Sequence, residues 1–250
     1  MTSRAWYIDW FGEDYLRLYP HRDLLEAERQ IEFLSHAVPL AASNRVLDLA
    51  CGDGRHLLAL TRRGLWACGI DLSETLLQRA RHRLLRSARA PALVRADMRR
   101  LPLRRGFDVI LSLFTSFGYF ETEAEESRVL AAARATLRPG GALVLDVLNR
   151  PYMVSHLVSL DRSERGALEL IQRRHYDPEH RRVVKEITIR EQERERRYVE
   201  SVRAYDRDEI TALLRREGFE VRSAYGEFDG RPLRDDSPRL LLVARSHAGS

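Results

Sequence analysis

The sequence predicts an α/β protein, a mostly parallel sheet covered by helices on both faces. Three observations predict it. From Arg45 to Val147, short runs of Val, Leu, Ile and Ala alternate with amphipathic helical runs. The first of these strands breaks into a tight turn carrying two glycines. After residue 147 the alternation stops and strand-like runs follow one another.

Residues 1–43 read as helical. Leu24, Leu25, Ala27, Ile31 and Leu34 give an apolar stripe, and Trp6, Tyr7, Trp10, Phe11, Tyr15 and Tyr19 crowd the same stretch. Val46–Ala50 is a short buried strand, followed by the glycine turn and a helix over His56–Arg63. Leu65–Ile70 is a second strand. Ser73 caps the next helix, whose inner face is Leu76, Leu77, Ala80 and Leu84. Ala92–Ala96 and Phe107–Leu113 are strands three and four. A helix with Leu130, Ala133 and Leu137 inward stops at Pro139-Gly140-Gly141, and Ala142–Val147 is strand five. Ala167–Tyr176 and Arg181–Gln192 flank the turn Asp177-Pro178-Glu179-His180, with Arg197–Tyr205 as a third such run. Asp206 and Glu209 have capping-box spacing, Gly218 closes that helix, and Phe219–Tyr225 and Leu240–Ala244 complete the chain. The antiparallel runs hold too few large apolar residues to make a core alone, so residues 160–205 read as an insertion. The expected organisation is a helical cap at 1–43 and one domain over 44–250 that contains the insertion as a lid or a dimer interface.

Composition narrows the function. The chain has 250 residues and a formal net charge of +5, with 41 arginines and a single lysine, Lys185, among 42 basic side chains. Acidic residues interleave with them, so a mixed-charge surface is expected ahead of a nucleic-acid footprint. No apolar stretch reaches the roughly 18 residues of a membrane span, and Met1–Tyr7 lacks the apolar core of a signal peptide. Cys51 and Cys68 have neither disulfide-framework nor metal-ligand spacing. A cytoplasmic protein without a metal is expected.

The informative segment is Val46-Leu-Asp-Leu-Ala-Cys-Gly-Asp-Gly-Arg-His56. Glycines there let backbone approach a ligand, and the helix beyond presents its N-terminus. Asp71 ends the second strand, 19 residues after Gly52, where it can accept from ribose hydroxyls. A nicotinamide-dependent oxidoreductase would require a third glycine where this chain has Leu57. Asp48, Asp71 and Asp97 put carboxylates at three successive strand ends. They disfavour a phosphate-rich ligand and suit one with an amine, ribose hydroxyls and an adenine amino group.

The segment 45–147 resembles the class I S-adenosylmethionine-dependent methyltransferases. Asp48–Gly54 resembles their glycine-rich motif, Gly69-Ile-Asp71-Leu-Ser the ribose-binding motif and Ala96-Asp97-Met98 the adenine turn. Phe107–Ser112 resembles the fourth-strand motif, and Leu137-Arg-Pro-Gly-Gly141 the turn before strand five. The resemblance implies a Rossmann-like sheet of seven strands, S-adenosylmethionine as cofactor and S-adenosylhomocysteine as product. It implies backbone at Ala50, Gly52 and Gly54 near the methionine moiety, Asp71 on the ribose, and Leu72, Asp97 and Met98 at the adenine. It further implies Ser112–Phe117 beside the sulfonium, and Tyr15 and Arg22 as partners of the cofactor carboxylate.

Cys51 reads as a small structural residue, and His156 as a surface residue. Asn149, Tyr152 and His175 are the catalytic candidates. Arg173, Arg174, Arg181 and Arg182 form a basic cluster at the hairpin, either a solvated edge or a site for an acidic substrate. The run after strand four, Ser112-Leu-Phe-Thr-Ser-Phe-Gly-Tyr-Phe120, lacks the Pro-Pro-aromatic signature of methyltransferases acting on base amino groups. The expected acceptor is a nitrogen or oxygen of a small molecule, as in amino-sugar and glycine N-methyltransferases. The alternative is an RNA or protein acceptor held by the basic surface.

Overall fold

The computed structural model describes residues 5–19, 23–38, 40–87 and 89–247, the Arg165 side chain excepted. Three helices come first: α1 Trp6–Trp10, α2 Glu13–Leu18 and α3 Leu24–Ala37. The alternating region follows as β1 Arg45–Leu49, α4 Arg55–Arg62, β2 Trp66–Asp71, α5 Glu74–Leu84, β3 Ala92–Arg95, β4 Phe107–Ser112, α6 Glu123–Thr136 and β5 Leu137–Asn149. Beyond it lie α7 Arg150–Ser155, β6 Leu160–Arg165, β7 Leu168–Asp177, β8 Arg182–Glu191, β9 Arg194–Tyr205, α8 Arg207–Arg216, β10 Phe219–Tyr225 and β11 Arg239–Ser246.

The sheet has eleven strands. Seven run in the order β3-β2-β1-β4-β5-β11-β10, the first five mutually parallel and β11 antiparallel to β5. The other four, β6 to β9, are an antiparallel meander. It joins through two parallel pairs, Leu148 with Ala204 and Asn149 with Tyr205. Leu148 also faces Arg239 on β11, so β9 takes the edge that β4 leaves beyond Leu145. The insertion is therefore continuous with the central sheet.

The two core layers follow the strand alternation. Val46, Val109, Leu111 and Val144 face α3, α4 and α5, whereas Leu47, Ile110, Leu143 and Leu145 face α6 and α8. Ser73 caps α5 as its type predicts, accepting from Leu76 N at 3.2 Å. At α8 only half of the capping box forms. Asp206 accepts from Glu209 N at 2.8 Å, while the Glu209 carboxylate turns to Arg150, Arg181 and Arg203 instead. Three local expectations are corrected. Pro139-Gly140-Gly141 sits inside the longer β5 as an irregular start, where pairing skips from Phe107–Leu137 to Val109–Ala142. The insertion also gains β6, a polar edge strand that alternation could not reveal, and α7 begins directly at Arg150.

Candidate functional site

A cavity of about 700 Å³ opens at the carboxyl ends of β1, β2 and β4. Ligands of open parallel sheets bind in that crevice. The turn after β1 divides its glycines between two tasks. Gly52 has φ +56°, and a Cβ there would meet nothing within 4 Å, so bare backbone faces the cavity. Gly54 has φ +76° and turns the other way: a Cβ would lie 3.0 Å from the Ala80 Cβ on α5. Gly54 thus serves helix packing and does not line the cavity. Leu57, in place of a third glycine, packs at Gly69, where an added Cβ would fall 2.5 Å from its Cδ1 and 2.7 Å from the Cys51 sulfur. Cys51 is accordingly a packing residue, and burial pushes its thiol well above the usual range.

The three strand-end carboxylates differ in state. Asp48 is 2% exposed and one of its oxygens has no hydrogen-bond partner. Burial raises it to about 8; Arg55 nearby works against the shift and Asp71 adds to it. An unsatisfied buried carboxylate aimed into a cavity calls for a cationic donor. Asp71 is raised by burial but accepts from Gly52 N and Ser73 N, each at 2.8 Å, which locks it against the glycine turn. Asp97 carries a fork from Arg99, with Nη2 2.6 Å from Oδ2. Burial opposes its charge, but Arg99 outweighs that and holds it below the ordinary range. Met98, Leu72 and Ala50 complete this side of the cavity.

The opposite wall is aromatic. Tyr7, Phe11, Tyr15 and Tyr19 descend from α1 and α2, and Phe114, Tyr119 and Phe120 come from the loop after β4. Tyr119 joins the two groups: its ring lies 5.0 Å from Trp6 and 5.6 Å from Phe11. The loop leaves strand geometry at Phe114 and Thr115, with φ of +57° and +56°. Such backbone persists only when its surroundings fix it. Here buried Asp146 accepts from Phe114 N at 2.8 Å, and the Arg55 and Arg239 guanidinium carbons lie 4.0 and 4.8 Å from the Phe114 ring centre. His56 also lines the cavity, bonded to Gln30 at 2.8 Å; burial, then Arg55 and Arg239, keep it neutral near pH 7.

The cavity brings together Tyr15, Asp48, Ala50, Gly52, Asp71, Leu72, Asp97 and Met98. Arg22 lies outside the described residues. Ser112 and Phe117 are corrected: both are buried away from the cavity, because the left-handed step at 114–115 ends the strand alternation between them. The catalytic candidates also lie elsewhere. Asn149 is buried and donates to the carbonyls of Arg234, Asp235 and Ser237 at 2.8–3.2 Å, pinning a loop. Tyr152 stacks on His156 at 4.2 Å, and His175 is exposed on β7. Among the described residues, none of 160–205 lines the cavity. The insertion packs behind α1 and α2 instead, where Trp10 and Leu18 meet Leu168, Leu170, Ile187 and Ile189. Phe114 and Ser116 fall within the span Ser112–Phe117 that the resemblance set beside the sulfonium; sequence reasoning missed Tyr119, Phe120 and His56. The aromatic density of 114–120 was the one available signal.

These residues fit S-adenosylmethionine. The unpartnered Asp48 oxygen answers an ammonium, the open space at Gly52 admits a ligand against backbone, and Asp71 is fixed where hydroxyls can donate. Comparison with known proteins agrees. Residues 46–141 match the family model described as a methyltransferase domain. A dTDP-3-amino-3,4,6-trideoxy-α-D-glucopyranose N,N-dimethyltransferase of Streptomyces venezuelae is 36% identical over 121 residues, 48% of each chain. The chain thus spans about half the length of the curated relatives it matches. An S-adenosylmethionine-dependent methyltransferase of Clostridium acetobutylicum has the same fold, with TM-score 0.79 at 19% identity over 93% of this chain and 96% of that one. An amino pentose methyltransferase of Micromonospora echinaspora, solved with S-adenosylmethionine bound, aligns at TM-score 0.69 and 26% identity, over 94% and 97% of the two chains. With five motifs in order and a cavity that fits the cofactor, residues 46–141 carry a methyltransferase domain, set in a chain with the fold of an S-adenosylmethionine-dependent methyltransferase.

Proposed function

We propose that this protein transfers a methyl group from S-adenosylmethionine to a nitrogen or oxygen of a small molecule, with amino sugars the favoured class. One observation carries the reading: a single cavity joins the carboxylates Asp48, Asp71 and Asp97 to the aromatic wall formed by α1, α2 and the loop after β4. The names of relatives acting on amino sugars support that class.

S-adenosylmethionine, when bound, supplies a methyl group on a positively charged sulfur that leaves readily. Asp48 would hold the ammonium, backbone at Ala50 and Gly52 the methionine moiety, Asp71 the ribose hydroxyls, and Leu72 with the Asp97–Met98 turn the adenine. Arg99 steadies that turn, donating to Asp97 from side chain and backbone. Tyr7, Phe11, Tyr119 and Phe120 would exclude water and orient the acceptor. Alignment of this kind can supply roughly 7–11 kcal/mol, and a base is required only for an acceptor that arrives protonated. In this reading residues 1–43 are a cap over the cofactor, and 160–205 brace the cap or pair two copies, which the mass in solution distinguishes. A cytoplasmic location accords with the free, buried Cys51 and Cys68.

The test is calorimetry with S-adenosylhomocysteine, together with methyl transfer to a dTDP-linked amino sugar. Asp71→Ala removes the ribose acceptors and the anchor of the glycine turn. At about 1.5–3 kcal/mol per hydrogen bond to a charged group, affinity falls by roughly a hundredfold or more. Unchanged affinity in that variant refutes the cofactor assignment.

A further inference from the structure

Arg182 was a surface candidate by sequence, yet it is 9% exposed and points inward from β8. Its guanidinium donates to three successive carbonyls of one loop: Gly118 at 3.0 Å, Tyr119 at 3.1 Å and Phe120 at 2.8 Å. It also donates to Ser201 on β9, to Oγ at 2.7 Å and to the carbonyl at 2.5 Å. The loop is gripped from its other side by Glu126 of α6, which is fully buried and accepts from Phe120 N at 3.1 Å. Its remaining oxygen has no hydrogen-bond partner; burial pushes the carboxyl up to about 7, against the backbone N–H groups of Phe120 and Gly118 and then the charge of Arg182. The backbone of β9 closes the grip: Arg203 N donates to Gly118 O at 2.8 Å, and a Cβ on Gly118, with φ +103°, would lie 3.0 Å from Arg203 O. Tyr119 and Phe120, the two residues carried by this loop, line the cavity, while Arg182 and Glu126 do not.

We infer that Arg182 and Glu126 are positioning residues for the acceptor: their clamp on residues 118–120 fixes the Tyr119–Phe120 wall and so sets which molecules the cavity accepts. The insertion thereby governs acceptor choice without touching the acceptor. Five donated bonds of this kind need the planar fork of arginine; a lysine ammonium offers three donors and no fork. Asp71 is held by Gly52 N and Ser73 N, outside the clamp, and Phe120 reaches the adenine side only through Arg99, whose guanidinium carbon lies 4.4 Å from its ring centre, so the clamp bears on the acceptor more than on the cofactor. The role in acceptor choice rests on the methyl-transfer reading; the clamp itself does not.

Hydrogen exchange followed by mass spectrometry reads the clamp directly, in the full chain. Arg182→Lys and Glu126→Leu are expected to raise exchange at least tenfold in residues 117–121, and in 5–11, whose rings rest on Tyr119. Glu126→Gln keeps the acceptor for Phe120 N and is expected to leave exchange there within threefold of wild type. With the dTDP-linked amino sugar as probe, Arg182→Lys raises KM at least tenfold and leaves S-adenosylhomocysteine affinity within twofold. Unchanged exchange at 117–121, or a rise spread evenly over β1 to β5, overturns the clamp. An unchanged KM overturns its role in acceptor choice. Failure of the wild-type protein to bind S-adenosylhomocysteine refutes the methyl-transfer reading instead, and the exchange data still decide the clamp.

Discussion

Asp48 concentrates the chemistry of the site in one side chain. Its identity and its place at the end of β1 were legible in the sequence; its protonation was not, because burial comes from elements distant along the chain. With a folded value of about 8 against about 4 in the unfolded chain, Asp48 is mostly protonated at pH 7 in the free protein. A raised folded value means that the folded state holds the extra proton between these limits. The contribution to stability is therefore fully present below pH 4 and lost as pH rises through 8. A ligand ammonium favours the charged form and expels that proton. Calorimetry at pH 7 in buffers of different ionisation enthalpy is expected to show nearly one proton released per S-adenosylhomocysteine bound, and almost none in Asp48→Asn. Equal release in the two proteins would remove Asp48 from the ammonium site. Ser112 and Phe117 mark the limit of sequence reading at this scale. The family resemblance set them beside the sulfonium, and the two left-handed residues between them turn both away from the cavity.

The N-terminal helices and the insertion are one structural unit although residues 19–159 of the chain separate them. Trp10 Nε1 donates to Glu200 at 2.5 Å, Tyr198 donates to Asp14 at 2.7 Å, and Arg17 pairs with Glu191 at 2.6 Å. The single lysine lies in this seam, where Lys185 pairs with Glu200 and donates to Tyr19 at 2.5 Å. Each element was readable separately from its periodicity. Their partnership was not, because α1 and α2 are too short to show an amphipathic stripe and the aromatic cluster gave no address. The packing implies a local failure mode. Trp10→Ala removes a ring that is 1% exposed and leaves Glu200 short of a donor, at a cost of about 3–5 kcal/mol. Exchange is expected to rise in 5–19 and 168–200 while β1 to β5 keep their protection, and S-adenosylhomocysteine binding weakens because Tyr15 and Tyr19 lose the ring they pack against. A uniform loss of protection would show that the seam is no separate unit.

At the scale of the whole molecule, the question is what forty-one arginines do. Many of them meet acids on the described surface: Arg79 with Glu13 and Arg216 with Glu123 at 2.8 Å, Arg81 with Glu74 at 2.9 Å, Arg138 with Asp108 at 2.7 Å. Around Glu209, Arg150, Arg181 and Arg203 converge on one carboxylate. The hairpin cluster disperses too: Arg181 joins this network, Arg174 bonds Gln172, Arg182 is the buried clamp, and Arg173 stays exposed on β7. Arginines held in such pairs are less free to meet phosphates, and on that ground a small-molecule acceptor is expected ahead of an RNA acceptor. Binding by phosphate neutralisation loses affinity steeply with salt, with a slope near −0.7 per phosphate on single strands. A fluorescent single-stranded RNA at about 0.15 M salt is therefore expected to bind no more tightly than the ~10⁻⁴ M end of non-specific affinity. Exposed ion pairs are worth about 0–1 kcal/mol each, so the same rise in salt moves the melting temperature only slightly. Micromolar RNA binding with a slope of several units would overturn this account, because it requires arginines free to meet phosphates where the structure pairs them with carboxylates.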